Sequence, residues 1–484
     1  MAKFYVTTAI PYVNAPPHVG NAIDFTCADV LARYHRQRGD DVVFSTGTDE
    51  HGGKNAEAAA KVNLTPKKYV DNLSENFKNF AQALDISYDR FIRTTDQQHV
   101  AGAKAIWKKL KPHIYRGKYA GMYDQKEEEF ITNERAREIK QHEPERYARL
   151  QKTTEENYFF KLSGFNDQIA KAINDGRFNI VPATRKHEIL SLLKDGLEDI
   201  SISRPKSKVG WGIPVPDDPD QTIYVWFEAL MNYITVLAYP KADDLKKYWP
   251  ADVQVIGKDI LRFHAAIWPA MLLALKLDLP KNLYVHGFVT VANQKMSKSI
   301  GNTVSPLEVI SKFGSDAMRY YFLRHIPSYD DGDFSWDKME QAYNGELGNE
   351  LGNLVQRIAS MLNRYQDGVI GEIPPGEHDT GPYYDSLSAF RFDKALDYVF
   401  TMIRGQNQYI DEEKPWEIAK QDKEHLKEVL AYSTGSLLQI GSLIEPFLPR
   451  TGQAIADIFS GGVVKNYDGP LFPRIELSPS QPEA

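Results

Sequence analysis

Phe4-Tyr5-Val6-Thr7-Thr8-Ala9-Ile10 is a run of β-branched and aromatic residues, the composition of a buried strand. Residues 11–20, Pro11-Tyr12-Val13-Asn14-Ala15-Pro16-Pro17-His18-Val19-Gly20, hold prolines at 11, 16 and 17 and form a turn rather than an extension of that strand. A helical pattern follows to Arg38, and residues 41–46 read as a second buried strand. Strand, crossover helix and strand make a βαβ unit. That unit implies a parallel sheet whose ligand crevice lies at the C-terminal ends of the strands, so the polar turns stand where chemistry would occur.

Working outward, the chain has 484 residues, room for about three domains at roughly 150 residues each. With 42% hydrophobic, 12% aromatic and 25% charged residues, disorder, collagen and coiled coil are excluded. The longest apolar run, residues 265–275, is broken by Pro269 and falls short of the roughly 20 residues of a membrane-spanning helix. No signal core or Arg-rich leader opens the chain, so a cytoplasmic protein is expected. The one cysteine, Cys27, excludes an internal disulfide and a cysteine zinc module. A net charge of −7 argues against a uniformly basic surface but allows a local basic face for nucleic acid.

Residues 1–114 are expected to form the first half of an α/β domain. Residues 115–222, charged and turn-rich, read as an insertion. Residues 223–335 read as the second half, with strands at 222–226, 253–257 and 283–291. From 336 to 484 the periodicity is helical: Leu347, Leu351, Leu354, Val355 and Ile358 are spaced for one buried face, and a Pro/Gly-rich loop interrupts at 368–382. A helix bundle with a frayed tail over 478–484 is expected.

Two short motifs carry the chemistry. His18-Val19-Gly20-Asn21 sits between the first strand and first helix, where glycine admits close backbone approach and a helix N-terminus favours phosphate. Taken alone, it is as well explained by an N-capping turn. Lys295-Met296-Ser297-Lys298-Ser299, before Ile300-Gly301-Asn302, puts two lysines where they can neutralise a triphosphate and a departing pyrophosphate.

Both motifs, in this order on an α/β framework, resemble the HIGH and KMSKS signatures of the class I aminoacyl-tRNA synthetases. The stretches Thr8-Ala9-Ile10-Pro11-Tyr12, Gly47-Thr48-Asp49-Glu50-His51-Gly52, Val225-Trp226-Phe227-Glu228-Ala229, 200–206, 256–260 and Lys414-Pro415-Trp416 are similar to the methionine-specific members, over most of the chain. The resemblance implies a Rossmann-like parallel-sheet catalytic domain split by a connective insertion, followed by an all-α helix-bundle anticodon-binding domain. It implies activation of L-methionine by ATP with Mg2+, and transfer of the methionyl group to the 3′-terminal adenosine of initiator and elongator methionine tRNA.

By the same resemblance His18, Asn21, Lys295 and Lys298 stabilise phosphoryl charge, and Gly20, Asp24, Gly257, Asp259 and Val289 contact ATP. Ile10, Tyr12, Trp226, Ala229, Leu230, Tyr233, Ile260, Phe263, His264 and Trp268 surround a thioether, whose contacts with aromatic rings are worth about 0.3–1.5 kcal/mol each. Asp49 holds the substrate ammonium. Asn353, Arg357 and Trp416 read the anticodon, Trp416 by stacking, although a tryptophan in a helical domain is more often buried.

Three departures bear on these expectations. Asn21 replaces the second histidine of many HIGH motifs and carries no charge. Asp24 stands where some relatives have a longer glutamate. Tyr123-Asp124-Gln125-Lys126-Glu127 offers no thiol, so no structural zinc is expected; His113, His142 and the acidic residues around Glu128 read as solvated surface rather than a metal site. No appended dimerising domain follows the bundle, so a monomer is expected. The rival from another class is a catalytically silent relative that binds tRNA or methionine. Asn21 and Asp24 favour it, and the intact KMSKS loop opposes it.

Overall fold

The computed structural model describes residues 1–125, 128–131, 133–291, 294–295, 303–374, 378–465 and 469–476, with backbone alone at Asn133, Glu134, Ala242 and Lys295. Its chain forms two compact units, one of Met1–Pro17, Arg38–Asn79 and Tyr88–Val285, the other of His18–Gln37, Phe80–Ser87 and residues from His286 onward.

The first unit is built on a six-stranded parallel sheet of β1 (Lys3–Thr8), β2 (Asp41–Thr48), β3 (Arg90–Arg93), β4 (Asn179–Val181), β5 (Val253–Gly257) and β6 (Asn282–His286), in the order β3-β2-β1-β5-β6-β4. Phe4 through Thr8 are all buried, because a parallel sheet is covered on both faces and its strands are apolar throughout rather than alternating. β1 pairs with β2 on one side and β5 on the other. The strand order therefore reverses at β1/β5, and the crevice opens beyond their C-terminal ends.

The βαβ reading of residues 4–46 holds, with the crossover helix α1 at Ala22–Gln37. The strand expected at 222–226 does not. Asp218–Ile223 is a strand of a separate three-stranded sheet, and Val225–Ala229 is helical, since a short apolar run reads alike for a buried strand and a buried helix. The run at 283–291 is likewise two strands: Asn282–His286 belongs to the parallel sheet, and Val289–Val291 pairs in parallel with Gly332–Phe334. Within the stretch read as insertion, Ile114–Asp124, Glu129–Ile131, Gln151–Phe160 and Ile200–Ser201 make an antiparallel sheet, while β4 returns to the edge of the parallel one.

In the second unit the helices follow the expected periodicity. Leu347, Leu351, Leu354, Val355 and Ile358 are all fully buried. The helix Asn353–Gln366 stops at Asp367, whose φ of 50° is left-handed, a common helix stop. Asp422 caps the helix Lys423–Ile444 by accepting from the amides of Glu424 and His425 at 3.1 and 3.0 Å. The chain over 478–484 lies outside the described residues.

Candidate functional site

In the first unit the expected side chains cluster at the strand C-termini. The chain leaving β1 runs beside the chain leaving β2: the Asp49 amide donates to the Pro11 carbonyl at 2.9 Å, and the Val13 amide to the Asp49 carbonyl at 3.0 Å. Tyr12 and Asp49 are thereby backbone neighbours. Ile10, Tyr12, Trp226, Ile260 and Phe263 are partly buried and pack on the core cluster; Leu230, Tyr233 and Trp268 belong to it. Trp226 and Phe263 stack with centroids 4.4 Å apart. The Tyr233 hydroxyl lies 2.7 Å from His264 Nε2, whose Nδ1 faces the Ile260 carbonyl at 3.0 Å. A wide π turn at Phe263–Ile267 precedes Trp268, an irregularity that often marks functional sites. Ala229 and His264 are buried, Gly257 ends β5, and Asp259 is exposed in the following 3₁₀ turn.

Asp49 is 3% exposed and stands among carboxylates. Glu50 is held by Arg93 through both oxygens, at 2.6 and 2.9 Å. Glu228, fully buried, takes His51 Nδ1 on one oxygen and His99 Nε2 on the other, each at 2.7 Å. Burial opposes the charge of Glu228, but the two histidines outweigh it and hold its carboxyl below the usual range. Asp49 has a hydroxyl contact from Thr94 at 3.4 Å and, among the described residues, no ion-pair partner. Burial, and then the charges of Glu228, Glu128 and Glu50, push its carboxyl well above the usual value.

In the second unit His18 caps the 3₁₀ turn Val19–Asn21. Its Nδ1 accepts from the Gly20 amide at 3.1 Å, and Asn21 Oδ1 accepts from the His18 amide at 3.0 Å. The capping reading of this motif is therefore present, and it is compatible with chemistry. An Nδ1 that accepts fixes the neutral tautomer with its proton on Nε2, and an Asn21 oxygen so used leaves Nδ2 as the donor end. Asp24, in the first turn of α1, meets His286 Nε2 at 2.9 Å, while His286 Nδ1 faces the Gly287 carbonyl at 2.7 Å. Both ring nitrogens face oxygens, an arrangement that the imidazolium satisfies with two donors. Val289 is buried and opposite Gly332. Lys295 pairs through its backbone with Thr290; Lys298 lies outside the described residues.

On the bundle, Asn353 and Arg357 are one turn apart on one helix face. Asp411 meets Arg357 at 2.5 Å, and Asn407 accepts from it at 3.3 Å. Trp416 follows Pro415 at the start of a short helix and is 40% exposed, not the buried core residue that its type more often is.

Sequence reading missed Glu128, His51, His99, Glu228 and His286. Glu128 is a correction: it was expected as solvated surface, yet it is buried and hydrogen-bonded to Tyr12. A lone acid in an acidic run gives no sign of burial, whereas His51 and Glu228 lie inside motifs already singled out. Among the described residues no group of three or more His, Cys, Asp or Glu is placed to hold a metal.

Comparison with known proteins agrees across sequence and structure. The family described as tRNA synthetases class I (M) matches residues 4–152 and 145–359. The methionine--tRNA ligase of Clostridium tetani is 40% identical over 509 residues, covering 98% of this chain and 79% of that protein. That of Brucella suis is 37% identical, covering 95% and 92%. The Mycobacterium tuberculosis methionyl-tRNA synthetase in complex with methionyl-adenylate superposes with a TM-score of 0.91 at 34% identity, covering 98% of this chain and all of that one.

Proposed function

The chain belongs to the methionyl-tRNA synthetases of class I, and from that membership together with the geometry above we propose how its residues perform the reaction. It is a methionine--tRNA ligase: methionine and ATP give methionyl-adenylate and pyrophosphate, and the methionyl group passes to the terminal adenosine of methionine tRNA. The observation that carries the residue assignment is Asp49, a buried carboxylate with no described cation of its own and Tyr12 as its backbone neighbour, in a unit whose core carries the aromatic side chains of Trp226, Tyr233, Phe263 and Trp268. A site of that kind suits a substrate with an ammonium at one end and a polarizable apolar chain at the other.

Asp49 pairs with the ammonium, and Ile10, Tyr12, Trp226, Ile260 and Phe263 enclose the thioether. Ala229, Leu230, Tyr233, His264 and Trp268 form the floor. The methionine carboxylate is then free to attack the α-phosphorus in line, with pyrophosphate leaving. His18 donates from Nε2 and Asn21 from Nδ2 to phosphoryl oxygens, and Lys295 and Lys298 add positive charge as pyrophosphate departs. Gly20, Asp24, Gly257, Asp259 and Val289 hold the nucleotide, and Mg2+ enters with ATP as its counter-ion. No side chain acts as a nucleophile: positioning and charge stabilisation suffice. In the second step the terminal ribose attacks the methionyl carbonyl and releases AMP. The enzyme acts as a monomer in the cytoplasm, where charged tRNA is consumed.

His18→Ala is expected to slow ATP–pyrophosphate exchange by about 10²–10³, the effect of losing one oxyanion donor, while methionine binding measured by calorimetry changes little. Equal losses in both would remove His18 from the phosphoryl step. Trp416→Ala is expected to leave exchange intact and weaken tRNA charging by about 1–3 kcal/mol, the worth of one stacked base. A variant that charges tRNA normally would show that Trp416 does not stack.

A further inference from the structure

Three donors converge on one carboxylate supplied by the antiparallel insertion. Glu128 Oε2 accepts from the Tyr12 hydroxyl at 2.5 Å, and Oε1 accepts from the amides of Gly53 and Lys54 at 2.5 and 3.2 Å. Those amides are the first of helix α2 (Gly53–Lys61), whose positive end favours an anion. The backbone carbonyl of Glu128 is held in turn by the Tyr224 hydroxyl at 2.7 Å. Glu128 is 5% exposed, and its φ of 52° lies in the left-handed region that side chains other than glycine rarely adopt. Its backbone is thus held in an unfavourable shape that delivers the carboxylate inward.

The neighbouring backbone is shaped for this approach. A Cβ at Gly52, where φ is 103°, would come within 2.4 Å of the Tyr12 hydroxyl and 2.6 Å of Glu128 Oε2, so only glycine lets the two meet here. The Lys54 ammonium lies 5.3 Å from the Tyr12 ring centre. Burial, and then the nearby Glu128 charge, push the Tyr12 hydroxyl well above its usual pKa, so it keeps its proton and donates.

We propose that Glu128 is a positioning residue for methionine: it fixes the Tyr12 ring and the first turn of α2, and so makes the shape of the methionine pocket depend on the insertion. The proposal rests on the reading of Tyr12 as a pocket residue. Glu128 acts through Tyr12 and touches no reacting atom, so its loss reads out in methionine recognition and not in ATP recognition.

The test is ATP–pyrophosphate exchange with the full-length enzyme, measuring KM for methionine and for ATP separately. Glu128→Ala removes the acceptor; Tyr12→Phe removes the hydroxyl, keeps the ring and guards against a misfolded insertion. Tyr12→Phe is expected to raise the methionine KM about tenfold, the loss of one hydrogen bond to a charged group, and Glu128→Ala, which also frees the Gly53 and Lys54 amides, at least as much, with the ATP KM unchanged in both. Because Glu128→Ala already breaks the contact to Tyr12, the double variant is expected to be no worse than Glu128→Ala alone. Multiplying effects, equal rises in both KM values, or an unchanged methionine KM in Tyr12→Phe would overturn the positioning role. Trp226→Ala separates the two readings. If it leaves the methionine KM unchanged, the pocket assignment fails; if it raises that KM while Tyr12→Phe and Glu128→Ala do not, only the Glu128 proposal fails.

Discussion

Asp49→Asn is expected to lower kcat/KM for methionine by about two to four powers of ten, the equivalent of about 3–5 kcal/mol for removing one partner of a buried ion pair. The size follows from what surrounds the carboxylate. Arg93 is committed to Glu50, and His51 and His99 are committed to Glu228. Glu128 is met by Tyr12 and by the amides of Gly53 and Lys54. No described cation competes with the substrate ammonium for Asp49, so an asparagine would leave that ammonium buried without a counter-charge.

The same surroundings give the binding a pH dependence of known sign. Burial, followed by the charges of Glu228, Glu128 and Glu50, raises the Asp49 carboxyl well above its usual value, so the empty site keeps its proton to higher pH than an ordinary aspartate does. On the proposed assignment methionine binds the anion. Its KM is therefore expected to fall as pH rises from the ordinary aspartate value of about 3.9 toward the raised one, and Asp49→Asn should flatten this slope. In the empty protein the sign reverses. The stability associated with a raised carboxyl is complete below its unfolded value and is lost as pH rises through the folded one. Methionine affinity within a factor of about three of the parent in Asp49→Asn, or a KM that improves toward acid pH, would contradict the assignment.

The second large effect is on stability. Arg319 is fully buried in the second unit, paired with Asp29 on α1 at 2.8 Å. It also donates to the carbonyls of Phe447, Pro446 and Leu84 at 2.6, 3.0 and 3.2 Å. Asp29, itself fully buried, further takes Arg33 at 2.7 Å and the amide and hydroxyl of Ser87 at 2.7 and 2.6 Å. One guanidinium thus joins α1, residues 80–87 and the helical bundle. Burial raises the Asp29 carboxyl, but Arg319 and Arg33 outweigh it and the net shift is down. Its stabilisation is therefore present above the unfolded value and lost as pH falls through the folded one.

Arg319→Leu leaves Asp29 buried and short of a partner, at a cost of about 3–5 kcal/mol. For a unit of about 200 residues that lowers the unfolding temperature by about 6–20 °C, which scanning calorimetry reads directly. A change below about 2 °C would mean that the pair contributes little beyond a hydrophobic replacement.

Sequence reading recovered the elements that have a strong period or a distinctive boundary. The first βαβ unit was legible because β1 and β2 are continuous apolar runs separated by prolines, and the bundle because Leu347 to Ile358 repeat at helical spacing. It failed where the signal is short. Val225-Trp226-Phe227 could lie on a strand or a helix, and β4 is three residues long in a charged stretch. In the candidate site, motif residues were visible, but the residues that hold them were not. Glu128 sits in an acidic run, and its burial depends on Tyr12 and Gly52, far away in the sequence. His286 ends a strand and gains meaning only beside Asp24. His18 illustrates a different point: the capping and phosphate-binding readings look like alternatives in sequence, yet a cap made through Nδ1 is compatible with donation from Nε2.

The most direct measurement is ATP–pyrophosphate exchange with each amino acid in turn, with magnesium present and no tRNA, because it isolates the adenylation step on which the methionine-site and ATP-site assignments depend. Exchange with methionine, and with no other amino acid at comparable kcat/KM, is the predicted result. No exchange with any amino acid in folded protein, or a preference for an amino acid other than methionine, would contradict it.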